Sequence, residues 1–164
     1  MRAIFSLLIS IIILGSCQSS SQWETMKLYN GKPSITVINL GDSTHGHGDG
    51  TAYEGELMDS TGKVIGEYIS WYVTVDVEKS DTVKSNHFSE KILTIVLNFG
   101  PDDEIIIQGG AFHPIDNHMI KQSVPARKRA IVGGTGKYRG IRGEVVPYRK
   151  EDGTYVHELI YKLD

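Results

Sequence analysis

The segment Ala130–Val146 most constrains what this chain can fold into. It lies between two short apolar runs and is dense in glycine, with Gly133, Gly134, Gly136, Gly140 and Gly143. Such spacing suits a tight connection between strands, where the backbone needs positive φ or a close approach to another segment. The segment therefore predicts two strands joined by a sharp turn.

Two nucleotide-binding motifs fail on this segment. A phosphate-binding P-loop needs a glycine five residues before the Gly-Lys pair and Ser or Thr after it, but Ile131 and Tyr138 occupy those places. A dinucleotide fingerprint needs a third glycine three residues after Gly136 and then a helix. Arg139 stands there, and a β-prone sequence follows. The segment does not predict a nucleotide site.

The chain after residue 17 shows strand-length apolar segments separated by Gly, Pro, Asp and Asn, without long helical periodicity. The longest, 64–77, carries bulky side chains on both alternating faces, so one face is expected inside and the other against a subunit or second layer. Periodicity does not say which face points inward. The pattern predicts an all-β protein, a single closed antiparallel barrel of about eight strands. The expected strands are 34–40, 51–58, 64–77, 91–99, 104–109, 128–132, 141–148 and 154–163.

The first residues predict an export signal. Met1-Arg2 is positive, 3–14 is an apolar run too short to span a membrane comfortably, and Leu14-Gly15-Ser16-Cys17 resembles a bacterial lipobox. We expect a signal peptide at 1–16, a lipidated Cys17, a tether over 17–33 and the barrel over 34–164. This places the protein in the bacterial cell envelope, anchored to a membrane on its extracytoplasmic side. An ordinary signal peptide or an uncleaved anchor is the alternative.

Composition limits the chemistry. Cys17 is the one cysteine, so no intramolecular disulfide can form, and a formal charge of −3 without a basic aromatic surface argues against nucleic acid. The basic run Arg127–Arg129 is interpreted as a solvated or subunit-facing edge. His45, His47 and Asp49 alternate in a glycine-rich loop and could ligate a metal, but a loop at the barrel mouth is the preferred interpretation. We expect neither a metal nor a cofactor.

The run from Gly134 to Gly143 resembles the Gly-Thr-Gly-x-Phe-x-x-Ala-Arg-Gly signature of plant dirigent proteins, and also the related segment of allene oxide cyclases. The resemblance implies one small antiparallel β-barrel and a homotrimer. It also implies that Arg142 is a cavity residue that stabilises a developing anion or a quinone-like oxygen. The alternative is a structural arginine that bonds the carbonyls of the glycine turn.

Two further segments resemble the cyclases. In 36–39, Asn39 is retained, but Val37 stands where the family has a glutamate, which argues against the family's own cyclisation. In 106–109, Gln108 matches a cyclase glutamine. These matches imply that Asn39 and Gln108 contact a ligand.

The remaining candidates are acids and phenols. Glu54 and Glu56 are the nearest match to a dirigent acidic pair that protonates and deprotonates an intermediate, with a solvent-facing pair as the alternative. Tyr68 and Tyr72 are candidate ligand contacts because a phenol combines apolar area with one hydrogen-bonding tip. Ordinary core tyrosines are the alternative.

Two functions follow from these residues. The first is an envelope-anchored barrel that binds a small apolar molecule in its lumen, as an isomerase-like cyclase or a guide of a reactive intermediate. The second is a non-catalytic lipoprotein that binds a protein, glycan or lipid. An open cavity reaching Arg142 favours the first, and a lumen filled with side chains favours the second.

Overall fold

The computed structural model describes residues 22–40, 47–75, 88–114, 127–152 and 154–164, with backbone alone at 88–90 and 112–114. The signal peptide, Cys17 and His45 lie outside these ranges. Within them the chain is all-β apart from a 3₁₀ turn at Gly136–Tyr138, and no helix has the length and hydrophobicity to cross a membrane. The strands are β1 Glu24–Asn30, β2 Ser34–Ile38, β3 Gly50–Met58, β4 Val64–Val75, β5 Phe88–Asn98, β6 Glu104–Pro114, β7 Arg129–Gly134, β8 Arg142–Arg149 and β9 Tyr155–Lys162.

The predicted single closed antiparallel barrel is confirmed. Neighbouring strands from β3 to β9 pair in chain order, and β1 closes the wall by pairing with both β9 and β3. Eight strands therefore form the barrel. The ninth, β2, pairs with β3 where β1 has left it, from Ser34 opposite Glu54 to Ile38 opposite Gly50.

The structure resolves which face of β4 points inward. Tyr68, Ser70 and Tyr72 are buried, whereas Ile69 and Trp71 are exposed on the outer wall. The tyrosine face is therefore the interior face. The homotrimer stays a prediction, and the exposed apolar side chains of β4 mark the surface that it would use.

Aliphatic side chains fill much of the interior. Burying each of them stabilises the fold by about 1.5–3 kcal/mol. The fully buried aliphatic members of the core cluster are Leu28, Leu57, Leu93, Ile95, Leu97, Ile105, Ile107, Val145 and Leu159.

The glycine-dense segment closes one end of the barrel. Thr135 Oγ1 donates to the carbonyl of Asp102 at 2.7 Å and accepts the Glu104 amide at 3.0 Å. Asp103 accepts the Lys137 amide and pairs with its ammonium, both at 3.0 Å. These contacts fasten the turn between β7 and β8 onto the turn between β5 and β6, which is a structural role.

The predicted tether over 17–33 is wrong for Glu24–Asn30, which forms β1. This strand pairs with β9 along its whole length, and it buries Leu28 and Asn30. Its exposed Thr25 and Lys27 give it a polar outer face. The barrel domain therefore begins before residue 34.

Gly143→Ala should destabilise the barrel, whereas Gly133→Ala should change little. A Cβ at Gly143, where φ is +155°, would lie 2.7 Å from the Cα of Tyr161 on β9, but a Cβ at Gly133 would meet no atom within 4 Å. We expect a loss of roughly 1–3 kcal/mol in the free energy of unfolding for Gly143→Ala, measured by denaturant titration. Equal effects of the two substitutions would contradict this view of the β8–β9 contact.

Candidate functional site

The two ends of the barrel differ in their connections. The turns after β3, β5 and β7 lie at one end, sealed in part by the glycine-dense segment. Strands β2, β4, β6 and β8 end at the other end, which we call the mouth.

Inside the barrel, polar and aromatic side chains from five strands come together. They are linked by hydrogen bonds, ring contacts and the electrostatic influence of one arginine. We call this group the inner polar cluster: Asn30 of β1, Tyr53 of β3, Tyr68, Ser70 and Tyr72 of β4, Arg129 of β7, and Tyr155 and His157 of β9.

His157 lies at the centre of the cluster, with 2% of its surface exposed. Its Nε2 is 2.8 Å from Asn30 Oδ1, and its ring stacks on Tyr68 with centroids 5.1 Å apart. Burial, with a smaller contribution from the charge of Arg129, lowers the pKa of His157 to about 3. The imidazole is neutral at pH 7. With Asn30 Oδ1 as the acceptor, Nε2 carries the proton and Nδ1 is a hydrogen-bond acceptor.

The tyrosines around His157 are neutral phenols. The hydroxyls of Tyr68 and Tyr72 are 3.5 Å apart, and Tyr53 meets Tyr72 edge to face at 5.1 Å. Burial, then Tyr72 and Tyr155, raises the pKa of Tyr53 to about 12, and burial also raises the pKa of Tyr68 well above its usual value. Their hydroxyls can therefore donate hydrogen bonds at physiological pH.

Arg129 supplies the positive charge of the cluster. Its Nε is buried, and its stem lies against Gly109 of β6. Burial raises the pKa values of Tyr68 and Tyr155, and the charge of Arg129 opposes that rise; burial lowers the pKa of His157, and the same charge adds to that fall. The prediction that this basic run is a solvated or subunit-facing edge is therefore wrong for Arg129. Lys128 agrees with a solvated edge, because its side chain is exposed and pairs with Glu144.

Three buried polar atoms of the cluster lack hydrogen-bond partners among the described residues. They are the nitrogens Arg129 Nε and His157 Nδ1 and the oxygen Ser70 Oγ. Leaving such a group unsatisfied costs about 1–3 kcal/mol, so each calls for a partner from a ligand or a water molecule.

An apolar lip extends the inner face toward the mouth. Ile35 lies opposite Tyr53, and Val37 lies opposite Thr51, on β2 and β3. Directly opposite residues of an antiparallel pair share a face, so both side chains continue the inner face of β3. They are 56% and 63% exposed, which makes them accessible to a molecule that approaches the cluster.

Tyr68 and Tyr72, predicted as ligand contacts, both lie in the inner polar cluster. Whether they bind a ligand stays a prediction, but the structure gives them the inward position that the prediction requires. The alternative interpretation, that both are core tyrosines, fits the same position, because both side chains are buried and their hydroxyls lie close to each other.

The other predicted site residues lie outside the cluster. The side chain of Arg142 is 55% exposed and pairs with Asp164. Side chains alternate between the two faces of β8, and because Val145 is buried inside, Arg142 lies on the outer face. Glu54 and Glu56 are exposed on the outer face of β3, and Gln108 is exposed on β6. Asn39 is exposed beyond the end of β2. Among the described residues, Arg142 and the acidic pair therefore do not meet in one cavity.

The glycine-rich loop before β3 is described from His47 onward. His47 is exposed, whereas Asp49 is buried and accepts the Leu40 amide at 2.9 Å. Burial lowers the pKa of Lys91, and the carboxylate of Asp49 opposes part of that shift. Among the described residues no three His, Cys, Asp or Glu side chains converge as metal ligands.

The two best-formed depressions lined by described residues are grooves on the outer surface. One, of about 390 Å³, is lined by Trp23, Gly143, Glu144 and Ile160. The other, of about 380 Å³, lies beside the turn that follows β5. Neither contains a residue of the inner polar cluster.

Sequence reasoning missed Arg129, His157, Tyr53 and Asn30 as site residues. A usable signal existed for His157, since it alternates with Tyr155, Leu159 and Tyr161 on one face of the last strand. No comparable signal existed for Arg129, because the basic residues beside it predicted a solvent-exposed position.

The topology is that of a closed antiparallel barrel, and dirigent and cyclase barrels have a similar fold. No protein-family model matches the sequence, and no curated protein matches it. Solved structures do. A pyocyanin demethylase superposes with a TM-score of 0.61 at 20% identity, over 83% of this chain and 99% of that one.

Two further solved structures are similar in fold. A pterocarpan synthase dirigent protein gives a TM-score of 0.59 at 19% identity, over 99% of this chain and 100% of that one. A nonspecific haem-binding cyclase that catalyses a [4 + 2] cycloaddition in neoabyssomicin biosynthesis gives 0.63 at 18% identity, over 89% of this chain and 66% of that one. At such identities the likeness concerns the fold.

Stability should fall between pH 7 and pH 5 through His157. The unfolded chain binds a proton at this histidine near pH 6.5, but the folded chain, with a pKa of about 3, does not. Lowering the pH therefore favours unfolding, by about 2 kcal/mol at pH 5 from this group. His157→Gln should lose that much less stability than wild type over the interval, in denaturant titrations at both pH values. His47→Gln, at an exposed site, should keep the wild-type dependence, and parallel behaviour of all three proteins would refute the assignment.

Proposed function

We propose that the barrel binds one small, largely apolar molecule at the inner polar cluster and holds it in the conformer that reacts. The single observation that carries this proposal is the pair of buried nitrogens without partners, Arg129 Nε and His157 Nδ1. Buried polar atoms in folded proteins are nearly always hydrogen-bonded, so an interior that leaves these two nitrogens free is suited to a guest that completes the bonding.

The shape of the site fits a molecule with an apolar body and a polar end. The body would lie against Ile35 and Val37 of the lip and the ring of Tyr53. The polar end would reach the hydroxyls of Tyr68 and Tyr72 and the nitrogens beyond them. Phenols suit such a boundary because each offers apolar area together with one hydrogen-bonding tip.

The chemistry of the cluster favours conformational control over proton transfer. Among its members no carboxylate is present, and a histidine with a pKa of about 3 is a weak base at pH 7. A folded reactive conformer can react without a protein base, since orientation alone removes a large part of the barrier. The similar folds of a dirigent protein and a [4 + 2] cyclase support a cyclase or a dirigent-type guide.

A non-catalytic binding scaffold is the second candidate. The observation that favours it is the position of the two best-formed grooves, which lie on the outer wall and not inside. Trp23 lines one of them, and a large exposed aromatic side chain is a common contact for a glycan or protein partner.

Val37→Asp should weaken binding of a neutral apolar probe, N-phenyl-1-naphthylamine, roughly tenfold, because a charge would replace a valine at the lip of the site. Val132→Asp is the matched control, since Val132 is also an exposed strand valine, 52% accessible, beside the inward-facing Ile131. Fluorescence titration of the three proteins measures both affinities. Equal losses in the two variants, or a wild type that does not bind the probe, would overturn the proposed site.

Membrane anchoring is part of the same proposal. Lipidation of Cys17 would leave Gln18–Trp23 between the lipid and β1, so the barrel would stay close to the membrane surface. Cys17→Ser should move the protein from the detergent phase to the aqueous phase in Triton X-114 partition of cell extracts. Ser19→Ala, two residues away, should not. Retention of the Cys17→Ser protein in the detergent phase would count against a lipid anchor.

A further inference from the structure

The backbone of β6 makes room for Arg129 to enter the interior. A Cβ at Gly109 would lie 3.0 Å from Arg129 Cγ and 3.2 Å from its Cβ, so a side chain there would press on the arginine stem. Gly109 falls at an inward position of β6, in the alternation that also places Ile105, Ile107 and Ala111 inside. The interior is therefore left open at the place where the arginine passes.

The charge of Arg129 has no counter-ion among the described residues. The ion pairs found there include Lys27–Glu158, Lys128–Glu144, Lys137–Asp103 and Arg142–Asp164, and none of these involves Arg129. Arg129 is half-buried, and its Nε is inaccessible to solvent. A cation in such a place is destabilising unless an anion joins it.

The donor geometry selects the anion. Nε and a terminal nitrogen of a guanidinium form a planar fork with two parallel N–H groups, which matches the two oxygens of a carboxylate. One arginine among neutral tyrosines balances one negative charge and not two. A phosphate dianion would leave a net negative charge buried beside the aromatic rings.

His157 adds a second requirement. Its Nδ1 is a buried acceptor without a partner, and the ring is fixed by Asn30 on one side and by Tyr68 on its face. Because the ring cannot turn without losing these contacts, the partner of Nδ1 must be a donor. A hydroxyl or N–H group on the guest would satisfy it.

The geometry points to Arg129 as a carboxylate-binding residue, so the barrel takes an apolar or aromatic acid whose carboxylate pairs with Arg129 and whose hydroxyl or N–H group donates to His157 Nδ1. This inference rests on the proposed function and narrows it to one class of ligand. It also assigns to Arg129 the interior cation that the sequence resemblance implies for Arg142.

The test compares an acid with its neutral isostere. The probes are 2-naphthoate and 2-naphthamide, each titrated as a competitor of N-phenyl-1-naphthylamine. Wild type should bind the acid roughly tenfold more tightly than the amide, since a hydrogen-bonded charge pair adds more than a neutral contact. Arg129→Gln should lower the affinity for the acid much more than the affinity for the amide, and so remove that preference, because only the acid loses a charge pair. Arg142→Gln, the matched control at an exposed arginine, should preserve it.

The outcomes separate this inference from the proposed function. If the wild type binds N-phenyl-1-naphthylamine but shows no preference for the acid, or if neither naphthyl probe competes, the carboxylate site is overturned and lumen binding stands. If the wild type binds no probe, both fail. If Arg129→Gln still binds the acid more tightly than the amide, the assignment of Arg129 is also overturned.

A thermal melt of the ligand-free variants excludes a purely structural role for Arg129. Removing an interior cation without a counter-ion should leave the Tm unchanged or raise it. Arg129→Gln should therefore melt at or above the wild-type temperature without ligand, and 2-naphthoate should raise the Tm of wild type but not of the variant. A lower Tm for the ligand-free variant would show that Arg129 serves the fold, and would overturn the inference.

Discussion

The structure depends on the closure of its wall by β1. This strand pairs with β9 along its length but meets β3 at only two positions, Tyr29 opposite Met58 and Asn30 opposite Leu57. Without those pairs the sheet would have two free edges and an open interior, and closure is what removes edges from an antiparallel sheet. Asn30 takes part in the closing pair and also bonds His157 in the interior. The last contact of the wall and the central contact of the inner polar cluster therefore share one residue.

Closure also explains what the sequence could and could not predict. Alternation along a strand is visible in a sequence, so the all-β class and most strands were predictable, including both strands that flank the glycine turn. The choice between the two faces is a property of the closed wall. On 64–77 both faces carry bulky groups, and only the neighbouring strands decide that Tyr68 and Tyr72 are inside and Trp71 is outside. Arg142, Glu54 and Gln108 lie on outward positions for the same reason of parity. β1 escaped prediction because its polar outer face, Thr25 and Lys27, follows a serine-rich stretch and resembles a tether.

The resemblance to dirigent proteins and cyclases was informative about architecture and misleading about charge. Its most specific residues, Thr135 and the glycines around it, serve to fasten one turn to another at the sealed end of the barrel. Such a role depends on backbone geometry, which a family can keep while its interior chemistry changes. The interior cation of this chain is instead Arg129, at the start of β7. It belongs to a run of basic residues, so the sequence does not show that its side chain points inward. In this protein the sequence motif therefore predicts the barrel architecture better than it predicts which side chains lie inside the barrel.

The contents of the lumen combine features that rarely coexist in a core selected for stability alone. An aliphatic layer of fully buried leucine and isoleucine residues lies beside a neutral histidine, four tyrosines and an arginine without a described counter-ion. Replacing the polar members by hydrocarbon would remove unsatisfied nitrogens and an interior charge, both of which destabilise the folded state. Stabilising changes of that kind are easily reached by mutation, and their recurrent cost is lost function. Gly109, beside Arg129, agrees with this view. Glycine in a strand interior weakens the strand, and it often marks a site where another group approaches closely. Here the residue that passes is Arg129, so the wall leaves room for the side chain that we propose as the ligand-binding cation.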